Sequence, residues 1–505
     1  MRHSSLSTFH FPHLTFNFLL ITLFSSLFLT SCAAPNQVTP SPTSFVTLSP
    51  TPPTSPAPPP SPTPSPTPIP LARPQYTLNL LINYTRKAAT VEETILYPNL
   101  SGESLPNLML AVEPNLWMGG FSLQELTVDD IPISTYNLEG QRLEITLPQP
   151  LEPGSITKLS LTFSLILPQM PAYSDPNDVR PQIYGYTSRQ VNLVDWYPFI
   201  VPYIPGTGWV LHNPWFYGEH LVYDSADFDV LVHFGDASEP KIATSGVELP
   251  SEDSRHFRLQ NGRTFALSFS DLYEIKSEII DGVTVYSYYF PFYAFAGQAV
   301  LDATGQALQA YTDHFGPYPH ATLTAVQGDF NDGMEFSGFY FMSRDFYNLY
   351  DGTPKNYLTI IAAHETAHQW WFDLVANDQA LEPWLDEALA TYSEHVFYEQ
   401  LSPDLVDWWW SYRVDFYHPS GYLDTRIYDA GGYRAYTDAI YLNGAHFLED
   451  LRQRIGDEAF FAFLKDYVAQ YAHRRATTAD FFTLLRQHTS VDYSDIIGKY
   501  FKDSH

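Results

Sequence analysis

The sequence predicts an α+β protein with two folded domains: an antiparallel β domain at residues 75–274, then a mostly α-helical domain with a small sheet at residues 275–505. In the first region, runs such as YTLNLLINY, TVEETILY and TKLSLTFSLIL alternate apolar and polar residues and are separated by turn signals such as EPG and QNG. This pattern is typical of half-buried strands. In the second region the apolar spacing changes to the helical repeat. A chain of 505 residues is long enough for more than one core.

The first 31 residues have the plan of a secretory signal peptide. Arg2 precedes an apolar run at residues 11–30, which is near the lower length limit for a membrane span. A retained membrane anchor is the alternative. The run ends in LTSC, which resembles the bacterial lipobox, and the final Cys32 is the position that becomes lipid-modified in lipoproteins. We therefore expect residues 1–31 to be a lipoprotein signal peptide.

Cys32 is the only cysteine of the chain, so the fold cannot depend on an internal disulfide. Acyl chains on this residue would hold the protein at a bilayer without a spanning helix. The expected location is the cell surface or the periplasmic face of a bacterial membrane, with the membrane as a partner through the lipid.

Residues 32–74 consist mainly of Pro, Ser and Thr and carry one charge, Arg73. Such a segment cannot bury a core, and its proline content favours polyproline II, which extends about 3.1 Å per residue. We predict a semi-rigid stalk that could hold the folded domains up to about 100 Å from a surface. The alternative is a docking segment for proline-reading modules, but these are mostly intracellular.

The charge balance excludes nucleic acid as a partner. The chain has 26 Lys and Arg against 56 Asp and Glu, which gives a formal net charge of −30. Phosphate backbones repel a protein of this charge. Solubility is the simplest explanation of the excess acid, and attraction of cationic peptides is a second one.

Periodicity after residue 275 predicts a helix at residues 294–315, a strand around 322–326 and helices over most of the remaining chain. One predicted helix, at residues 357–376, contains the segment HETAHQWW. His364 and His368 lie one turn apart on the same face, which is the geometry that a zinc ion needs from two imidazoles.

Glu365 follows the first of these histidines, where it can accept a proton from an attacking water molecule. The bare motif also occurs on ordinary helix surfaces, so a third ligand decides the matter. Glu387 comes nineteen residues after His368, in a second predicted helix that opens at Glu382 and Pro383. A short loop between the two helices would let Glu387 complete a site for one Zn²⁺ per chain.

Two segments, HETAHQWWFDLV and WLDEALATYSE, resemble the M1 family of zinc metallopeptidases, the gluzincin aminopeptidases. The family signature is HExxH followed by eighteen residues and a Glu. The resemblance is firmest over residues 330–470 and more diffuse over the β domain. It implies a thermolysin-like catalytic domain at residues 275–505, peptide substrates, zinc bound by the two histidines and Glu387, and Glu365 as the catalytic base.

The stretch GMEFSG resembles the GxMEN motif of the family, whose glutamate binds the α-amine of the substrate. The resemblance assigns substrate binding to Gly333, Met334 and Glu335. Phe336 stands where the family has Asn. This departure leaves open an endopeptidase in which Glu335 no longer anchors the amine.

Three further residues are implied by the resemblance. Tyr441, in AIYLNGA, matches the tyrosine that hydrogen-bonds the oxyanion, with Tyr433 and Tyr436 as nearby competitors. Glu394 corresponds to the carboxylate that orients a zinc histidine, although a solvated helix glutamate is an equal alternative. Gln190 corresponds loosely to a glutamine that the β domain contributes near the substrate amine, and here a structural role is the favoured alternative.

The function predicted from the sequence is therefore zinc-dependent removal of N-terminal residues from peptides outside the cytoplasm. Two alternatives remain: an endopeptidase of the same fold, and a surface lipoprotein that binds without catalysis. The sequence leaves open the preferred N-terminal residue and the oligomeric state.

Overall fold

The computed structural model describes residues 72–171, 182–331 and 333–503. The predicted signal peptide, the lipidation site Cys32 and the stalk up to residue 71 lie outside the described residues, so these assignments stay predictions. Over the described ranges, no helix combines the length and the apolar character that crossing a membrane requires.

An eight-stranded sheet organises the N-terminal part of the described chain. In spatial order its strands are Val247–Leu249, Arg255–Gly262, Ala226–Phe234, Gln75–Asn83, Ala88–Pro98, Ile156–Ile166, Phe121–Val128 and Ile131–Pro132. Neighbouring strands are antiparallel except for Gln75–Asn83 and Ala226–Phe234, which pair in parallel. These two strands are far apart in the chain, which leaves room for the crossover connection that a parallel pair requires. The predicted antiparallel domain thus contains one parallel pair.

Smaller sheets complete this β-rich part. The first four-stranded sheet contains Lys241–Thr244, Leu267–Ser270, Val191–Leu193 and Gly185–Tyr186, and the second contains Phe199–Ile200, Leu105–Ala111, Arg142–Leu151 and Tyr136–Glu139. A two-stranded ribbon pairs Tyr203–Ile204 with Gly208–Trp209. The segment RTFALSF alternates apolar and polar residues in the same way, but only its second half lies in a strand, Leu267–Ser270.

A five-stranded sheet begins at Glu274, next to the predicted domain boundary. Its strands, in spatial order, are Glu274–Ile280, Val283–Tyr289, Thr322–Gln327, Phe339–Met342 and Met334–Phe336. Side chains alternate between the two faces of a strand. Phe339 and Phe341 accordingly join the core of the β-rich part, whereas Tyr340 and Met342 join the core of the helical part. This sheet therefore lies between the two cores.

Helices form most of the C-terminal part. Their bounds are Ala294–Phe315, Arg344–Leu349, Tyr357–Ala367, Trp384–Leu401, Val406–Trp409, Tyr433–Thr437, Asn443–Ile455, Asp457–Tyr471, Thr478–His488 and Ser494–Tyr500. The predicted helix at residues 294–315 and the predicted strand near residue 322 both form. Two short strands, Val375–Ala376 and Arg474–Arg475, pair in parallel and connect the C-terminal helices to the segment that follows the first ligand helix.

The predicted helix at residues 357–376 is too long. The α-helix ends at Ala367, and Gln369–Leu374 forms a π-type turn in which Trp371 and Phe372 leave helical geometry. Trp371 is buried in the helical core and Phe372 in the β-rich core. The two adjacent side chains of this turn thus contribute to two different cores.

Arg263, from the β-rich part, donates hydrogen bonds to backbone carbonyl groups of this turn that have no partner within a helix. Its guanidinium donates to the carbonyl oxygens of Phe372, Asp373 and Leu374 at 3.0–3.2 Å and to that of Arg474 at 2.9 Å. A helix end leaves carbonyl groups without intrahelical partners, and buried ones need donors from elsewhere. Burial lowers the pKa of Arg263 to about 10, so the side chain remains a cation at neutral pH.

Candidate active site

Two helices carry the predicted metal ligands. The first, Tyr357–Ala367, begins at Asn356, whose side chain accepts a hydrogen bond from the Thr359 backbone N–H, and it carries His364 near its end. His368 follows directly, still in helical backbone geometry. The second helix, Trp384–Leu401, packs against the first and carries Glu387 in its first turn. All three ligand side chains are buried.

The three ligand atoms converge on one point. His364 Nε2 lies 3.3 Å from Glu387 Oε2 and 3.1 Å from His368 Nε2, and His368 Nε2 lies 3.5 Å from Glu387 Oε2. Ligands about 2.0–2.1 Å from a tetrahedral zinc ion are themselves about 3.3 Å apart. The donor set and its spacing therefore fit zinc.

The second nitrogen of each imidazole faces a carboxylate. His364 Nδ1 lies 2.9 Å from Glu394 Oε1, and His368 Nδ1 lies 2.6 Å from Asp386 Oδ1. These contacts place the Nδ1 hydrogen on the carboxylate side and leave both Nε2 atoms as electron-pair donors.

Glu394 is itself held by two donors. Arg413 donates to both of its oxygens at 2.9 Å, and the indole N–H of Trp409 donates to Oε2 at 2.9 Å. Burial alone would raise the pKa of Glu394, but the Arg413 cation outweighs it and the pKa lies below the usual range. The Glu394 carboxyl group is therefore ionised.

A cavity of about 450 Å³ opens beside the ligand cluster. Glu365 and Glu335 line it, and their carboxylate oxygens lie within 4.8 Å of each other and of a donor atom of His368. Gly333 also lines the cavity and approaches the Glu365 carboxylate so closely that a Cβ at this position would lie 2.3 Å from Oε1. The glycine thus provides the space in which this carboxylate sits.

Tyr441 lines the same cavity. Its ring stacks on that of His364 with the centroids 6.0 Å apart and the planes 10° apart. Burial raises the pKa of Tyr441 well above its usual value, so the hydroxyl keeps its proton and can donate it in a hydrogen bond. Tyr433 and Tyr436, the two alternatives to Tyr441 for the oxyanion role, also line the cavity. The ring centroids of Tyr436 and Tyr441 are 5.8 Å apart.

The structure does not bring every predicted residue to this cavity. Met334 lies in the strand beside Glu335 and lines an adjoining cavity of about 320 Å³. Gln190 lines neither cavity. Its side-chain amide is buried and hydrogen-bonds Tyr273, the Gln327 carbonyl and the Asp329 backbone N–H. These bonds use the amide to join the β-rich part to the five-stranded sheet, so the predicted substrate contact does not form.

Sequence reasoning missed Asp386, Gln379 and Arg413. Asp386 had a signal, since it directly precedes the ligand Glu387 and stands where the family pattern has Asn. Gln379 comes from the loop between the two ligand helices, and Arg413 from a π-type turn at Trp410–Val414. Neither carries a local pattern that would reveal its role.

Comparison with known proteins identifies this region. Residues 299–500 match the family model described as Peptidase family M1 domain. This part of the chain is similar to a peptidase family M1 domain. The match includes both ligand helices and the tyrosines of the cavity.

Proteins with similar sequences include aminopeptidases from plants and bacteria. Aminopeptidase M1-B of Oryza sativa subsp. japonica is 29% identical over 222 residues, which are 41% of this chain and 25% of that protein. Aminopeptidase N of Lactococcus lactis subsp. lactis is 24% identical over 224 residues, which are 39% of this chain and 25% of that protein. The chain thus spans about a quarter of the length of these relatives.

Solved structures resemble a larger part of the chain. The M1 zinc metallopeptidase of Deinococcus radiodurans aligns with a TM-score of 0.62 at 20% identity, over 86% of this chain and 94% of that one. A variant of that enzyme bound to a Tyr-Ser-Ala substrate aligns with a TM-score of 0.61. The predicted fold class, a β-rich domain followed by a mostly helical domain, is confirmed.

Proposed function

We propose that this protein is a zinc-dependent aminopeptidase that removes N-terminal residues from peptides outside the cytoplasm. The observation that carries the proposal is the convergence of His364 Nε2, His368 Nε2 and Glu387 Oε2 at 3.1–3.5 Å from one another, beside a cavity that also holds Glu365 and Glu335. The aminopeptidase names of the M1 relatives support the same activity.

Zinc would be held by His364, His368 and Glu387. When bound, it supplies Lewis-acid polarisation of the scissile carbonyl and makes water a stronger acid. Glu394 and Asp386 keep the two imidazoles in the tautomer and orientation that ligation requires. The residues present therefore fit the metal that the family uses.

Three side chains of the cavity have separate roles in the proposed reaction. Glu365 accepts a proton from the attacking water and returns it to the leaving amine. Tyr441 donates its hydroxyl hydrogen to the oxyanion that develops at the carbonyl. Glu335 binds the protonated α-amine through a charge-assisted hydrogen bond, which places the first peptide bond at the metal ligands.

In the decisive experiment, the purified protein is incubated with zinc and one peptide, either with a free N-terminus or N-acetylated. The products are identified by mass spectrometry. We expect stepwise loss of N-terminal residues from the free form only. Glu365→Gln should lose at least about a hundredfold in kcat and retain zinc. Glu399→Gln is the matched control, because Glu399 lies on the ligand helix but pairs with Arg452 away from the cavity.

The alternatives give different outcomes. Internal cleavage of both peptide forms would identify an endopeptidase and remove the role of Glu335 as an amine anchor. Absence of cleavage with zinc bound would contradict an enzymatic function and favour a binding lipoprotein.

We further propose that the protein is tethered to a bacterial membrane through a lipid on Cys32, with residues 32–74 as the stalk. The support is the LTSC segment after the apolar run at residues 11–30. Mass spectrometry of the N-terminal peptide from the native host tests the proposal. A diacylglycerol-modified Cys32 is expected, and an unmodified cysteine would contradict it.

A further inference from the structure

The side-chain amide of Gln379 lies between two buried carboxylates. Its Nε2 is 3.2 Å from Glu335 Oε1 and 2.6 Å from Asp386 Oδ2. The exposed fractions of the three residues are 4%, 4% and 1%, so bulk water does not compete for these hydrogen bonds. One amide group thus connects the amine-binding carboxylate to a carboxylate of the metal site.

The hydrogen-bond chemistry fixes the orientation of this amide. Ionised carboxylates only accept hydrogen bonds, and the NH₂ group of glutamine has two hydrogens to donate. Each hydrogen of Gln379 therefore goes to a different carboxylate. In the reverse orientation the amide oxygen, which only accepts hydrogen bonds, would have nothing to donate to either carboxyl group.

The contact continues to a metal ligand. The other oxygen of Asp386 lies 2.6 Å from Nδ1 of His368. An unbroken series of hydrogen bonds therefore runs from Glu335 through Gln379 and Asp386 to His368. The position of the amine-binding carboxylate is tied to the metal-ligating imidazole by side chains alone.

Glu335 lies in unfavourable electrostatic surroundings, so its carboxylate needs a hydrogen-bond donor to hold it in place. Its carboxylate lies within 4.8 Å of a Glu365 oxygen, and like charges at this distance repel strongly in a buried site. The strand Met334–Phe336 fixes the backbone of Glu335, but its side-chain torsions are free to turn the carboxylate away. A donor on the side of Gln379 holds one oxygen and leaves the other to the substrate amine.

We propose that Gln379 is a positioning residue for recognition of the substrate's protonated N-terminal amine. The proposal rests on the aminopeptidase function proposed above. Gln379 makes Glu335 a fixed anchor at a set distance from the metal ligands, and it thereby determines how strictly the protein selects a free amine over a blocked one.

The test replaces Gln379 by Met, which keeps the length of the side chain and removes both donors. For a peptide with a free amine, we expect KM to rise at least about tenfold, because a hydrogen bond to a charged group is lost. The kcat should stay within about threefold, since Glu365 and Tyr441 are unaltered. Zinc content should not change, and the N-acetylated peptide should remain uncleaved, as it does with the wild type.

Gln190→Met is the matched control, because Gln190 is equally buried and bonds outside the cavity. It should leave KM and the preference for a free amine unchanged. Gln379→Glu is the second variant: it keeps the shape of the side chain but adds a like charge, and its KM should exceed that of Gln379→Met.

The outcomes separate the two proposals. A wild-type protein that removes N-terminal residues, together with an unaltered KM in both Gln379 variants, would overturn the positioning role and leave the aminopeptidase function intact. A wild-type protein without activity on a free N-terminus would overturn both. A fall in kcat as large as the rise in KM would also overturn the positioning role, because a general structural defect does not act on substrate binding alone.

Discussion

Gly333 lies directly against the carboxylate of Glu365, so closely that a methyl group on Gly333 would stand 2.3 Å from Oε1. Real Cβ atoms do not approach an oxygen this closely, so one of the two groups would have to move. The strand that follows Gly333 is paired in the five-stranded sheet and resists displacement. The carboxylate of Glu365 is therefore the group that would shift.

Gly333→Ala should accordingly impair catalysis more than binding. We expect kcat to fall about tenfold to a hundredfold, because a catalytic group displaced by about 1 Å loses its alignment with the reacting atoms. Zinc content should stay at one ion per chain. Steady-state kinetics with metal analysis check this prediction. The control is Gly498→Ala, in the helix Ser494–Tyr500 with open space around it, which should leave kcat unchanged.

Glu394 should control zinc affinity through His364. Removing its carboxylate with Glu394→Ala takes the hydrogen-bond acceptor from His364 and leaves the Arg413 cation buried without its partner. We expect zinc affinity to fall about tenfold to a hundredfold. Titration with a metal chelator measures the change. Glu399→Gln, on the same helix, serves as the control, and an equal loss in that variant would show that general helix damage is responsible.

The hydrogen bonds of Arg263 predict a large contribution to stability. Arg263→Met would leave several buried carbonyl groups without donors, at about 1–3 kcal/mol each. We expect the free energy of unfolding to fall by about 3 kcal/mol or more. Arg258→Met, which breaks a half-exposed ion pair with Asp229, should change it by less than about 1 kcal/mol. Denaturant titration of both variants distinguishes them, and similar losses would contradict the special role of Arg263.

The metal site could be predicted because its signals are local. The spacing of His364 and His368 is read from one helical turn, and Glu387 follows within a short loop and one further turn. The long helix at residues 294–315 has the same advantage. In each case the residues that meet in space are close in the sequence.

The features that could not be predicted depend on distant parts of the chain. The first ligand helix ends at Ala367, the side chains of Trp371 and Phe372 then pack into different cores, and Arg263 bonds carbonyl groups more than 100 residues away. Gln379 is positioned by two carboxylates from separate elements. No periodicity in the sequence records such contacts. The sequence around Gln190 matches the family only loosely, and this match did not predict where the side chain lies.

Glu93 stands in the core of the β-rich part, where an acidic side chain is unfavourable. It lies on the strand Ala88–Pro98 between Leu78 and Leu161 on the neighbouring strands. Neither carboxyl oxygen has a hydrogen-bond partner among the described residues. Burial raises the pKa of Glu93 well above the ordinary value of 4.5, so above this pH the folded protein binds more protons at this group than the unfolded chain does.

The sign of the pH dependence follows from this difference. Below about pH 4.5, Glu93 is protonated in both the folded and the unfolded state and does not make stability depend on pH. Above this pH, the unfolded chain loses the proton first, and the free energy of unfolding falls by up to about 1.4 kcal/mol per pH unit. The fall ends where the pH reaches the pKa of Glu93 in the folded protein. Glu93→Met removes this cost. The stability gained over the wild type should therefore be larger at pH 7.5 than at pH 4.5, as measured by denaturant titration at both values. Glu92→Gln, on the exposed face of the same strand, should change stability little. A Glu93→Met gain of the same size at both pH values would show that Glu93 is ionised in the folded protein.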